Sequence, residues 1–319
     1  MKKVRSLAIA SLFVIAAVRG GAETIVEKFT ADPLQNGWQI FGDTNLFAWD
    51  STNQNLAVTW DSSQTNSYFY LPLGKTLTTN DSFLIQFDLN LTDATAGGYG
   101  SELAIGLLHF SDATNLDFSR GGGSSPNLFE FDYFPDTGFG DSIDATLKDS
   151  QPGFDGFYFA YDNLSLNPAV TYRVLLAHDA NSTAIRGQIF ADGQLYTSLT
   201  NVYSSGGIEN FFLDAISISS YQDDGFGDSV LAHGTVDNFV FASPLPVEKI
   251  STLAAGQIQF ASDTNWLYTL EQNSDLQNPQ NWSPAATPTF GNGANLILQS
   301  TNAPADKAFY RVRAELPLP

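Results

Sequence analysis

The 319-residue chain has no cysteine, so neither disulfides nor thiolate-bound metals can hold it together. Histidine is almost as scarce. His109, His178 and His233 lie far apart, with no metal-ligand spacing among them, and each reads as a structural residue in or beside a strand. Basic residues are few, 14 Lys+Arg against 34 Asp+Glu, an imbalance that excludes nucleic acid and anionic lipid as partners and attracts cations. With only 15% charged residues the chain also lacks the composition of disorder, and its 43% hydrophobic and 13% aromatic residues can fill a core. No phosphate-binding loop, serine nucleophile elbow or HExxH zinc motif is present.

The one long apolar run lies at the start. Met1-Lys2-Lys3-Val4-Arg5 is basic, Leu7 to Val18 is apolar, and Gly20-Gly21-Ala22 is small, which is the layout of a secretory signal peptide cut after Ala22. The run is shorter than the ~20 residues that a membrane span requires, and no later segment qualifies, so membrane insertion is not expected. A secreted or cell-surface location follows. Residues 23–243 carry 28 acidic and 6 basic residues, whereas residues 251–319 carry 5 and 3, so the negative field belongs to the first of two regions.

Short runs rich in aromatic and β-branched residues fill the chain, including Asn55–Trp60, Ser67–Leu71, Phe83–Leu89, Leu103–Phe110, Leu128–Phe134, Thr171–Ala177, Ala184–Phe190, Phe211–Ser217 and Val236–Phe241. In Phe83–Leu89 every odd position is apolar, and Ala191-Asp192-Gly193-Gln194 has the makings of a tight hairpin. No amphipathic helix follows residue 22. Ten or more strands in ~220 residues predict an all-β fold, a two-sheet antiparallel jelly-roll sandwich over residues 23–243. Ala242-Ser243-Pro244-Leu245-Pro246 then marks a proline-containing linker, 244–250, before a small accessory β domain over 251–319. Trp266-Leu267-Tyr268-Thr269-Leu270-Glu271, Asn281-Trp282 and Phe309-Tyr310-Arg311-Val312-Arg313 resemble a small C-terminal β module of secreted bacterial proteins. Its aromatic residues are expected in the core. Trp38, Trp49 and Trp60 of the first domain are likewise better placed in a core than on a sugar platform.

The segment richest in chemistry runs from Phe129 to Ser142. On a strand, Glu130 and Asp132 share one face with Cα atoms roughly 6.5–7 Å apart, and Phe129, Phe131 and Tyr133 take the other. Pro135 ends the strand, and Gly138 and Gly140 let the chain curl back, so that Asp136 and Asp141 can approach the same point as Asp132. An oxygen-rich cage of this kind suits Ca²⁺. Glu130-Phe131-Asp132-Tyr133-Phe134-Pro135-Asp136-Thr137 with Gly140-Asp141 resembles the metal loop of concanavalin A-like, legume-type lectins. The resemblance implies Glu130, Asp132, Phe134 (through its carbonyl), Asp136 and Asp141 as metal ligands. It also implies Glu102, Gly122 and Asp136 as sugar contacts. Thr146 stands where that loop has a histidine, which counts against a transition metal and leaves calcium.

An echo of the loop, Asp223-Asp224-Gly225-Phe226-Gly227-Asp228-Ser229, supplies Asp223, Asp224 and Asp228 either to the same ion region or merely to a second tight turn. The expected function is therefore a secreted, calcium-dependent, non-catalytic carbohydrate-binding protein. Two alternatives remain open. One is a glycoside hydrolase of the concanavalin A-like clan with a degenerate acid pair, since Glu130-Phe131-Asp132 begins an acid motif whose second glutamate is missing. The other is a structural or adhesive surface protein.

Overall fold

The computed structural model describes residues 23–97, 102–120, 124–138, 140–151, 157–158, 164–202, 210–223, 229–243, 251–254, 256–262, 266–275, 282–301 and 308–315. The export segment 1–22, the linker 244–250, Gly122, Asp224 and Asp228 lie outside the described residues.

Up to residue 243 the described strands are β1 (Glu23–Glu27), β2 (Gln39–Phe41), β3 (Phe47–Asp50), β4 (Asn55–Asp61), β5 (Ser67–Leu77), β6 (Phe83–Ala96), β7 (Leu103–Leu108), β8 (Leu128–Phe134), β9 (Ser142–Lys148), β10 (Phe157–Tyr158), β11 (Thr171–His178), β12 (Ala184–Ala191), β13 (Gln194–Val202), β14 (Leu213–Ser220) and β15 (Val230–Ser243). They form two antiparallel sheets. One has eight strands, in the order β13-β12-β11-β6-β15-β4-β3 with β1 added on β15, and the other has seven, β10-β9-β8-β7-β14-β5-β2.

Alternation along the strands decides how these sheets stack. Phe83, Ile85, Phe87, Leu89 and Leu91 of β6 all turn inward, as do Phe129, Phe131 and Tyr133 of β8. Their rings meet between the sheets, Phe83 on Phe129 at 4.9 Å and Phe87 on Phe131 at 5.8 Å, both edge to face. Each such buried side chain contributes ~1.5–3 kcal/mol of burial free energy, and the long inner row on two sheets makes the cysteine-free sandwich stable. Trp38 and Trp60 are in this core and Trp49 packs against it, its indole donating to the Phe29 carbonyl at 2.7 Å. The hairpin at Asp192-Gly193 joins β12 to β13 with both residues at positive φ, 47° and 79°, the geometry of a type I′ turn.

The run Leu103–Phe110, expected as one strand, stops at Leu108, and Phe110–Ala113 forms a one-turn helix, α1. The ladder ends because the Phe110 amide leaves it to donate to Asp214 Oδ1 at 2.8 Å. After residue 250, β16 (Ser251–Ala254), β17 (Gln257–Ala261), β18 (Leu267–Asn273), β19 (Ser283–Pro284), β20 (Thr289–Phe290), β21 (Asn295–Gln299) and β22 (Phe309–Glu315) form two small sheets of their own. Trp266, Tyr268, Leu270 and Phe260 fill a separate core there, joined by Ala242 from the end of β15. Trp282 instead carries the Arg311 guanidinium at 4.5 Å from its ring.

Candidate functional site

The same alternation that sends Phe129 and Phe131 inward sends Glu130 and Asp132 to the outer face of the seven-stranded sheet. Register aligns polar rows across that face. Glu130 sits opposite Thr146 of β9 and Gly106 of β7, which in turn faces Ser217 of β14; Asp132 sits opposite Asp144 and Ala104. The face is not open. The described residues of the connection between β7 and β8, 109–120 and 124–127, fold back over it, with Ala113 and Phe118 packing on Tyr68, Ala104, Leu128 and Tyr221 in a second, smaller apolar cluster. Tyr68 donates to the Ala113 carbonyl at 2.9 Å and Asn66 to the Phe118 carbonyl at 3.3 Å, tying the connection to the sheet.

From this connection Arg120 reaches down among the acids. Its Nε lies 3.2 Å from both Glu102 Oε1 and Glu130 Oε2, and its Nη2 donates to Asp132 Oδ2 at 2.8 Å. Thr146 also donates to Asp132 Oδ2, and Tyr221 donates to Glu130 Oε1. Nearby, Lys148 donates to Ser125 Oγ at 2.5 Å. Burial is nearly complete, with side-chain exposures of 6% for Arg120, 4% for Glu102, 1% for Glu130 and 0% for Asp132.

Three carboxylates around one guanidinium leave an excess of negative charge away from water. Burial first, and the neighbouring Asp132 second, push the Glu130 carboxyl up to about 7, against the pull of Arg120 and Tyr221. Asp132 is raised by burial despite Arg120 and Thr146. Lys148 is pushed down to about 7, by burial and then by the Arg120 charge. Asp132 Oδ1 is buried without a hydrogen-bond partner.

The expected metal ligands are therefore divided. Glu130 and Asp132 do converge, but on an arginine, and Glu102, expected as a sugar contact, joins them there. Asp136 caps its own turn, its Oδ1 accepting from the Gly138 amide at 2.6 Å, and Gly138 and Gly140 take the positive φ values that the turn demands. Asp141 accepts from the Tyr133 hydroxyl at 3.1 Å. Tyr133 belongs to the inward row, so Asp141 associates with the side of β8 opposite to Asp132. Period-two alternation separates the two acids, and the loop does not carry Asp141 around the strand end. Phe134 is buried as the last residue of β8, across from Ser142. Asp223 donates its amide to the Ser62 carbonyl at 2.8 Å. A calcium ion thus does not fit the expected donor set: both oxygens of Glu130 and Oδ2 of Asp132 already accept from Arg120, Thr146 and Tyr221, and Asp136 and Asp141 serve elsewhere. Among the described residues no group of three or more His, Asp or Glu is placed to hold a metal.

A second polar group sits at the rim of this face. His109 places Nδ1 2.8 Å from Asp112 Oδ2 and Nε2 3.7 Å from Asp214 Oδ2, and Asn127 donates to Asp112 Oδ2 at 2.6 Å. Asp214 lies where the pairing of β14 with β5 is irregular. The register of β14 on β5 shifts between Leu213 and Ala215, so Leu213 stays in the core while Asp214 and Ala215 both fall on the outer side. Beside it, Phe110 stacks on Tyr70 at 4.1 Å and meets Phe41 edge-on at 5.9 Å, and Tyr70 donates to Gln39 Oε1 at 2.8 Å. Phe41 is 38% exposed. Sequence reading assigned His109 a structural role and passed over Arg120. One signal for Arg120 was available, because residues 23–243 hold only six basic residues and two of them, Arg120 and Lys148, lie within or beside the richest acid strand.

Two antiparallel sheets stacked on one core make this region an all-β sandwich. Among solved structures the chain is similar to peanut lectin, with 14% identity, 70% of this chain and 99% of that chain covered, and a TM-score of 0.44. It is similar also to the Emp47p carbohydrate recognition domain (10% identity, 67% and 94% covered, TM-score 0.43) and to the alginate lyase Aly36B (13% identity, 68% and 96% covered, TM-score 0.41). At this level the likeness transfers no residue roles. No protein-family model and no curated protein matches the chain.

Proposed function

We propose that the chain is an exported, non-catalytic carbohydrate-binding protein whose ligand is taken at the rim of the seven-stranded sheet. The observation that carries this reading is the exposed aromatic–polar group there. Phe41 and Phe110 offer ring faces to the apolar side of a sugar, while Asp112, Asp214 and His109, each about a quarter to a third exposed, offer hydrogen bonds to hydroxyls. The net charge of the region argues for a neutral glycan over an anionic one. Export rests on the basic, apolar and small stretches of residues 1–22. Calcium has no part in capture at this rim, where two carboxylates address the two different nitrogens of one imidazole instead of a common point.

The test is glycan-array binding by the mature chain with and without EDTA, alongside Phe41→Ala and Asp214→Asn. Retention on one class of neutral glycan, unaffected by chelator and lost at least tenfold in both variants, is the expected result. Binding that both variants retain, or no binding at all, overturns the reading, and the second outcome favours a structural or adhesive role. Hydrolysis is the second reading, favoured by a Glu130 that holds its proton to about 7 beside Asp132. Burial of both acids on Arg120 opposes it. Release of reducing sugar from β-glucans or galactans, abolished by Glu130→Gln, would establish it.

A further inference from the structure

We infer that Arg120 is a tethered counter-cation: a guanidinium supplied by the connection between β7 and β8, and not a metal ion, neutralises the acid strand of this sandwich and latches that connection over the sheet. Two independent sets of contacts support this. The first is the donor pattern around the carboxylates. Both Glu130 oxygens and Asp132 Oδ2 receive donors, from Tyr221, Arg120 and Thr146, and Arg120 also lies 3.2 Å from Glu102. A calcium site would instead surround one point with six to eight oxygen lone pairs. Here hydroxyl and guanidinium hydrogens point at the acids, and the remaining candidate ligands, Asp136 and Asp141, are engaged by the Gly138 amide and the Tyr133 hydroxyl.

The second is the placement of the cation on a covering segment. A planar guanidinium presents several donors in a fixed fork and can address carboxylates from two chain segments along different edges, whereas a lysine offers a single point charge. Arg120 lies at a bridge between Ser119 and Ser124, and its carbonyl accepts from Ser125 Oγ at 3.3 Å, so its backbone is fixed while its side chain spans from Glu102 to Asp132. Its guanidinium carbon also sits 5.9 Å from the Tyr221 ring, on which Phe118 of the same connection stacks. The ion contacts and the apolar contacts therefore close the same segment. A metal ion would neutralise the acids without holding that segment down.

The decisive measurement is thermal melting of the mature protein, untreated, with EDTA, and with added Ca²⁺. One melting temperature in all three conditions, with no heat on calorimetric titration of Ca²⁺ alone, is expected. A melting temperature that falls in EDTA and recovers with Ca²⁺ overturns the inference. Arg120→Met is expected to melt about 10 °C lower, given the destabilisation typical when one partner of a buried ion pair is removed and the usual sensitivity of a domain this size. Hydrogen exchange of amides 110–120 should speed up in the same variant. If Arg120→Met does not fold, Arg120→Lys keeps the question open to test: it should fold, melt below the parent, and show exchange in 110–120 faster than in the parent. Parent-like melting and exchange in whichever variant folds would overturn the latch.

Discussion

Two arginines, one against each sheet, meet opposite arrangements of charge. On the eight-stranded sheet Arg173 of β11 forms a two-point pair with Asp88 of β6, Nε to Oδ1 at 2.7 Å and Nη2 to Oδ2 at 2.6 Å, and Asn238 adds a donor to the same carboxylate at 2.9 Å. Arg120 on the seven-stranded sheet is shared by Glu102, Glu130 and Asp132, and one oxygen of Asp132 is left without a hydrogen bond. A two-point pair with one carboxylate uses both of its oxygens. A shared guanidinium holds the acids in place, while burial raises the proton affinities of Glu130 and Asp132 against its pull. Depth of burial and the ratio of partners together separate the two cases, since Arg173 and Asp88 keep about a tenth of their side chains exposed and Asp132 keeps none.

The largest contrast should come from deleting each cation. Arg120→Met is expected to cost ~3–5 kcal/mol in urea unfolding, since it strands three carboxylates, and Arg173→Met less, ~2–3 kcal/mol, since Asn238 still serves Asp88. Equal losses would break the comparison. Deleting an acid should reverse the ranking of the sites. Asp88→Asn is expected to cost ~2 kcal/mol, while Glu130→Gln should leave stability at pH 8 unchanged or raised.

The pH profile gives a subtler separation. Glu130, raised to about 7, stays protonated in the fold while the unfolded chain ionises, so its contribution is greatest below the ordinary carboxylate pKa and is lost as pH rises to about 7. Lys148, lowered to about 7, works in the other direction, its contribution growing from about 7 towards the ordinary lysine pKa. The cluster's contribution therefore passes through a minimum near neutral pH. Chemical denaturation across pH should show Glu130→Gln losing the falling limb and Lys148→Met the rising one. The smallest effect belongs to Arg186→Ala. Its pair with Asp179 has both side chains more than half exposed, so a change within ~0.5 kcal/mol is expected.

What the sequence made legible follows from local rules. The odd-position apolar residues of Phe83–Leu89, the two faces of Leu128–Phe134 and the Asp192-Gly193 turn all depend on neighbours within a few positions, and the structure shows each as read. Strand β9 was not anticipated although Ser142–Lys148 alternates polar and apolar residues; the burial of its outward Ser142, Asp144, Thr146 and Lys148 is set by the fold and is not written in the alternation. The acid site was half legible. Which acids share a face is a matter of period two. Which cation meets them depends on a loop arginine 10 and 12 residues from Glu130 and Asp132, with no periodicity to announce it. The expectation that Asp141 joins Asp132 failed for a related reason, since loop length permits the approach and only the fold decides the side.

The irregular pairing of β14 with β5 has a consequence for how this strand can vary. Leu213 and Ile216 both face the core although they are three positions apart, with Ala215 facing outward between them, so removing Asp214 from the chain would leave plain alternation and keep Leu213 inside. Identity is therefore fixed at that point more tightly than length. A one-residue deletion would cost the Phe110 amide its carboxylate partner and strip the rim of an acid, yet leave the inner row of the strand in phase.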